Sequence, residues 1–345
     1  MSTNVIDLQQ NRERLAAQRH ARRCADKQRH PSSACRRTAT VARGSAVVRQ
    51  LDQHHTSTRS GTAPAHQLID QVRAVAAFVQ QRITRNYCVD EFGFDPQFTD
   101  AVIRPMLRPL YRSWFRVEVS GLEYLPHAGA ALVVANHGGV LPLDALMLSL
   151  AVHDTHPAKR DLRVLASRRS LNLPVLGHVA HMSGHTLACR PGAHRLLTAG
   201  ELVAVFPEGD RGLGKRFGDR YKLQQFAHGE FVDAAVAARA PIVPCTIVGA
   251  EESYPVLANL KPLARLLNLP CLPITPLLPL AGPAGLLPLP TKWHIAFSPP
   301  IPTAGNPQIE AQKPTTSIDL TNQVRQTIQH TLRQLLKRRR NVFLG

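Results

Sequence analysis

Seven short apolar runs, rich in valine and alanine and separated by segments of helical period, do most to restrict how this 345-residue chain can fold. The runs lie at 117–119, 130–135, 162–166, 186–189, 202–206, 242–248 and 293–297. Each is too short for a helix and is bounded by Gly, Pro or polar residues, so each reads as a strand. Helical patterns fall between them at 143–153, 192–199 and 226–239. Strands separated by helices predict an α/β fold, a mostly parallel sheet flanked by helices.

The flanking regions are of two kinds. Residues 1–65 have almost no apolar periodicity and hold 12 Lys/Arg against 4 Asp/Glu. Such a segment cannot bury enough surface to offset its ordering entropy, which predicts a disordered basic tail. Residues 66–115 are expected to form N-terminal helices. The first spans 66–86 on Leu68, Ile69, Val72, Val75, Ala76, Val79 and Ile83, and a shorter one at 104–115 is broken at its prolines. The working domain then spans 116–345 and closes with an amphipathic helix at 317–340, striped by Val324, Ile328, Leu332, Leu335 and Leu336. That helix ends in Lys337-Arg338-Arg339-Arg340, followed by Val342, Phe343 and Leu344. Its stripe can pack into a core, or its end can rest as a basic and apolar foot on anionic lipid.

Chemistry gathers where strands end. Ala131-Leu132-Val133-Val134-Ala135 stops abruptly at Asn136-His137-Gly138-Gly139, and α/β proteins place ligands at the carboxyl ends of strands. Pro142 suits the start of a helix and puts Asp144 in its first turn, within reach of His137 across a tight turn. A carboxylate on one ring nitrogen fixes the tautomer and leaves the other as a base. The residues alone leave a catalytic and a structural histidine equally open. A second run ends in Phe206-Pro207-Glu208-Gly209-Asp210-Arg211, which sets a carboxylate, a flexible glycine and a cation suited to phosphate at another strand end. Cys189-Arg190 and Pro241-Ile242-Val243-Pro244 add further strand termini, so one shared cleft is expected.

In their order and spacing, Asn136-His137 with Asp144, then Phe206-Pro207-Glu208-Gly209, then Pro241-Ile242-Val243-Pro244 resemble the blocks of the phospholipid/glycerol acyltransferase family. The resemblance covers roughly residues 85–345. Six residues separate His137 from Asp144, where the common form of the family has four, a spacing similar to the branch related to mono- and diacylglycerol acyltransferases. The resemblance implies a glycerolipid acyltransferase-like fold. It makes His137 the general base for an acceptor hydroxyl and Asp144 its orienting partner. It assigns Asn136, Gly138, Gly139, Arg190, Phe206, Pro207, Glu208, Gly209, Arg211 and Pro244 to the substrate site. The backbone N–H groups of Gly138 and Gly139 are candidates for the thioester oxyanion, and Arg211 or Arg190 for a phosphate. No metal or resident cofactor is implied. Acyl-CoA or acyl-carrier protein enters as substrate, with a lysophospholipid or other glycerolipid as acceptor.

Other patterns compete with this reading. Gly209 to Arg216 imitates a phosphate-binding loop, but Arg216 stands where a magnesium-binding Ser or Thr is needed. A mobile basic loop is expected instead, with Lys215 and Arg220 near anionic headgroups. His178, His181 and His185 lie in a Gly-rich stretch without a neighbouring carboxylate or cysteine, a poor zinc site. Six scattered cysteines with no CxxC pair fit a reducing compartment. Neither a signal peptide nor a membrane-crossing helix is expected; the apolar stretch 269–290 carries seven prolines and reads as buried core or exposed patch. A net charge of +18 calls for an anionic partner, a membrane surface or nucleic acid. A basic nucleic-acid-binding protein with a silent α/β domain, or an acyltransferase with a non-lipid acceptor, are the alternatives. Residues 1–65 hold no Phe, Tyr or Trp to stack on bases, which favours the membrane. The expected location is cytoplasmic, peripheral on the inner face of the membrane.

Overall fold

A computed structural model describes residues 89–345 apart from 140, 173–175, 214, 227–228, 261–272, 276–286 and 305–313. The basic segment 1–65, the helix expected at 66–86 and most of the proline-rich stretch lie outside the described residues. Seven strands form the main sheet: β1 Glu118–Ser120, β2 Ala131–Ala135, β3 Leu162–Ala166, β4 His185–Leu187, β5 Leu202–Val205, β6 Ile242–Val248 and β9 His294–Phe297. Two short strands, β7 Ala258–Asn259 and β8 Pro273–Ile274, pair separately. The order across the main sheet is β1-β9-β6-β2-β5-β3-β4. The five strands from β6 to β4 run parallel, while β9 runs against β6 and β1 runs with β9. The mostly parallel sheet is as expected, and the reversed pair at one side is new.

Period-two side-chain alternation sorts the central strand between two cores. Ala131, Val133 and Ala135 face one apolar cluster with Met147, Leu148 and Ala151 of helix α1 (Leu143–Thr155). Leu132 and Val134 face the other, which takes in α4 (Arg190–Thr198), α5 (Glu230–Ala237) and α6 (Pro314–Arg338). Because both faces are covered, β2 is apolar at every position. Val324, Ile328 and Leu332 of α6 are fully buried, so the stripe of this helix is core. Burial of each such side chain stabilises the fold by about 2 kcal/mol.

Some boundaries differ from expectation. The helix expected at 104–115 is the end of a longer helical run, Pro96–Phe98, Thr99–Ile103, Arg104–Pro109 and Leu110–Trp114, whose wide π turns accommodate the prolines. The strand expected at 186–189 is β4, ending at Leu187, because Cys189 caps α4 and Pro191 fits its first turn. Two short helices, α2 (Arg168–Leu171) and α3 (Leu176–Met182), occupy a stretch where no helix was anticipated. A Cβ on Gly177 would meet the Leu171 carbonyl oxygen at 1.9 Å, so glycine there reflects close packing of α3 on α2.

Candidate active site

β2 is clamped to its neighbour just where it ends. Asn136 donates from Nδ2 to the Ile247 carbonyl at 2.9 Å and accepts the Ile247 N–H on Oδ1 at 2.7 Å. Its amide is thus committed to β6, which places it in the scaffold and not against a substrate. The next residue, His137, has its N–H held by Glu208 Oε1 at 3.0 Å and its ring against Phe206, centroids 4.8 Å apart.

Pro142 caps α1, and Asp144 follows in the first turn with 0% exposure. Asp144 Oδ2 lies 2.5 Å from His137 Nδ1 and accepts the Gly138 N–H at 3.0 Å, while Oδ1 accepts the Ala145 N–H at 2.9 Å. With Nδ1–H donated to the carboxylate, Nε2 is the ring nitrogen able to take a proton. Burial works against the imidazolium, but the charge and hydrogen bond of Asp144 and the charge of Glu208 outweigh it. The pKa of His137 is therefore raised above the ordinary imidazole value.

The two glycines after His137 answer to space and conformation. A Cβ on Gly138 would meet Glu251 Cγ at 2.4 Å, and Gly139 adopts φ +90°. Since the Gly138 N–H is committed to Asp144, it is not free for a thioester oxyanion, which corrects that expectation. The Glu208 carboxylate is also fully engaged, by the N–H groups of His137 and Gln224 (2.7 Å to Oε2) and by Lys215 Nζ at 3.0 Å. It holds the backbone of His137 in place.

Lys215 is a second correction. Instead of facing headgroups, its side chain is 4% exposed and also donates to Glu251 Oε1 at 3.0 Å. Burial lowers the Lys215 pKa, yet the charges of Glu251 and Glu208 raise it further, and the net direction is up. Burial pushes the Glu251 carboxyl up to about 7 against the pull of Lys215. Glu251 Oε2 accepts the Tyr221 N–H at 2.8 Å. This Glu208–Lys215–Glu251 group was missed by sequence reasoning; its one signal was the acidic pair Glu251-Glu252 directly after a buried strand. Gly212, in the stretch that imitates a phosphate-binding loop, has a local cause as well. A Cβ on Gly212 would lie 2.7 Å from His137 Cβ and 2.9 Å from Glu208 Cβ.

His137 and Phe206 line a cavity of about 160 Å³. Leu143 and Leu146 of α1, Val164 of β3 and Leu171 of α2 form much of its wall, and Ser183 and buried His185 lie among its other lining residues. Burial pushes His185 down to about 4, so it is neutral there. Gly209 lines the cavity and takes φ +53°, while Asp210 beside it bonds Ser167 Oγ and Arg169 Nη1, both at 3.0 Å. Arg211 is exposed on the turn Gly209–Arg211. Pro207 and Pro244 are buried, Pro244 opposite Val134 in the sheet. Arg190 is the outlier. It begins α4 after β4, three strands and roughly 14 Å from β2 at the usual strand spacing, and it is exposed. Among the described residues no group of three or more His, Cys, Asp or Glu could hold a metal ion, and no helix is long and apolar enough to cross a membrane.

The model of the Acyltransferase family matches residues 116–248, which include β2, His137, Asp144, Glu208 and β6. A Mycobacterium tuberculosis (H37Rv) protein named only as uncharacterised is 56% identical over 348 residues, covering 99% of this chain and 97% of that protein. The 1-acyl-sn-glycerol-3-phosphate acyltransferase alpha of Ovis aries is 31% identical over 158 residues, 44% of this chain and 52% of that one. The crystal structure of the 1-acyl-sn-glycerophosphate acyltransferase PlsC from Thermotoga maritima aligns with a TM-score of 0.45 and 20% identity, covering 69% of this chain and 80% of that one.

Proposed function

We propose that this chain, whose residues 116–248 match the Acyltransferase family model, moves a fatty acyl group from acyl-CoA or acyl-carrier protein to a hydroxyl of a glycerol-phosphate or lysophospholipid acceptor. The observation that carries this reading is the His137 Nδ1–Asp144 Oδ2 contact of 2.5 Å, with His137 lining an apolar cavity. In the reaction, the acceptor oxygen attacks the thioester carbonyl as His137 Nε2 takes the hydroxyl proton. The C–S bond then breaks, and His137 returns that proton to the departing thiolate. No acyl-enzyme is formed. Asp144 keeps the ring in the required tautomer and stabilises the imidazolium. Glu208, through the His137 N–H, and Gly212, through its lack of a side chain, keep the ring in register with the cavity.

The cavity suits the hydrocarbon chain of the donor, since its wall is mostly apolar. In this reading Arg211, exposed beside Gly209, meets the phosphate of the acceptor. The relative from Ovis aries bears the name of an acyltransferase for an acylated glycerol phosphate, which supports that class of acceptor. The protein works at the inner face of the membrane, from the cytoplasmic side, where its positive charge meets anionic lipid.

Thiol release from a long-chain acyl-CoA is the direct test, with a panel of lysophospholipids and glycerol 3-phosphate as acceptors. Wild type should release thiol only when an acceptor is present, and His137→Ala should lose that release by a factor of about 10²–10⁴. Absence of acceptor-dependent release with any long-chain donor sinks the acyl-transfer reading. Full activity in His137→Ala sinks the assignment of the base.

A further inference from the structure

The edge of the sheet that carries His137 also carries an apolar surface that acyl transfer does not use. His294, at the start of β9, pairs with Val248 at the end of β6, and Glu118, at the start of β1, pairs with His294. Residues just before β1 and β9 therefore stand on the same edge as the end of β2. Trp114, 41% exposed, and Leu287, 65% exposed, lie there, joined by Phe343 and by Leu344 at 82%.

These side chains are held out by a bonded backbone. Trp114 Nε1 donates to the Pro288 carbonyl at 2.9 Å. The Arg116 guanidinium donates to the carbonyls of Pro290 and Phe343. The Lys292 N–H donates to the Val342 carbonyl at 2.9 Å, and Arg339 donates to the carbonyls of Lys292 and Val342. The chain beyond α6 is thus fastened across the approaches to β1 and β9, with its large apolar groups turned to solvent. Exposed cations stand beside it at the end of α6: Lys337, Arg338 and Arg340. Phe217, tied to the segment after β6, repeats the pattern. It is 37% exposed, Arg220 stacks 4.3 Å over its ring, and its N–H is tied to Val256 beside exposed Leu257.

Large apolar side chains fixed in the open, next to exposed cations, match the boundary of an anionic bilayer, where aromatic and aliphatic groups enter between the chains and Lys and Arg meet the phosphates. A nucleic acid would answer the cations and stack on the aromatic rings, but would leave Leu287, Leu344 and Leu257 without an apolar partner. The geometry points to Trp114, Leu287, Phe343 and Leu344, with Phe217 and Leu257 on the segments that follow β5 and β6, as the face by which the protein docks on anionic lipid. This docking turns the His137 edge toward the bilayer, so an acceptor reaches the cavity without crossing water. The orientation rests on the acyl-transfer reading; the docking itself does not.

Flotation of the full-length protein tests it, with vesicles of phosphatidylcholine alone and with vesicles in which roughly a third of the lipid is phosphatidylglycerol. Wild type should float with the anionic vesicles. The double variant Phe343→Ser/Leu344→Ser, which keeps every charge and alters only exposed side chains, should partition about tenfold less. Thiol release from a short-chain, water-soluble acyl-CoA with a soluble acceptor should be unchanged in that variant. Wild type that stays off anionic vesicles overturns the docking face, as does a double variant that floats like wild type or loses soluble thiol release together with flotation. Binding of duplex DNA that depends on Phe343 and Leu344 as strongly as flotation does also overturns it. Because flotation is read without turnover, a protein that floats through these residues yet never releases thiol keeps the docking face and loses the acyl-transfer reading instead.

Discussion

Replacing Lys215 by methionine should destabilise the protein far more above neutrality than below it. In the folded state Lys215 sits between Glu208 and Glu251, 3.0 Å from each, with all three side chains nearly free of solvent. The Glu251 pKa stands at about 7, above its ordinary 4.5, because burial outweighs the pull of the lysine. A carboxyl whose folded pKa is raised favours the fold while protonated, and that support is lost as pH climbs from about 4.5 to about 7. Keeping Glu251 charged at higher pH costs roughly 3 kcal/mol relative to the unfolded chain. Lys215→Met removes the cation that makes this tolerable, and the loss of one partner from a buried ion group costs about 3–5 kcal/mol. That full penalty is expected at about pH 8, where Glu251 must be charged or take a proton against the solvent. At about pH 6 Glu251 is already protonated, and the penalty should shrink by at least about 1 kcal/mol. Urea unfolding of wild type and Lys215→Met at the two pH values measures this, and Lys215→Met/Glu251→Gln should recover most of the loss at the higher pH. A penalty that is equal at both pH values, or larger at the lower one, would refute the reasoning.

Other outcomes follow from the same site. Asp144→Asn should lower kcat by about 10²–10⁴, and it should also move the acid limb of the pH–rate profile. Neutral His137 is the active form, so the wild-type rate rises with pH through a pKa held above the usual imidazole range; without the Asp144 charge that limb should shift to lower pH. Gly212→Ala would force a methyl group to within 2.7 Å of His137 Cβ. Denaturant curves should register about 1–3 kcal/mol of destabilisation, and kcat should fall more than KM changes. Leu146→Trp fills the cavity wall beside α1, so turnover of long-chain donors should drop while short-chain donors keep most of theirs, as read by thiol release across a chain-length series.

Much of the site was readable from local chemistry. The approach of His137 to Asp144 follows from a strand that stops, two glycines and a proline that starts a helix, all within nine residues. The main strands were legible because burial on both faces leaves short continuous apolar runs. The position of Lys215 was not, since its two carboxylates come from the ends of β5 and β6, and only the sheet order brings them together. For a similar reason the reversal of β9 and β1 is invisible in the runs themselves: apolar content sets a strand's burial, while its direction depends on the connection that leads to it. Gly138 teaches a narrower point. An N–H beside a catalytic residue looks available in sequence, and here Asp144 has already taken it.

The chain has two tryptophans, and the join between the helical run and β1 gives them opposite surroundings. Phe115 turns inward and stacks on Trp293, ring centroids 4.5 Å apart, while the adjacent Trp114 turns out. The Trp293 indole is enclosed and donates to Ser253 and Thr291 hydroxyls at 3.0 and 3.1 Å. The protein therefore carries two built-in optical probes with separable emission. The red, easily quenched component belongs to Trp114 and will respond to whatever covers that side of the molecule; the blue, shielded component belongs to Trp293 and will change only when the core opens.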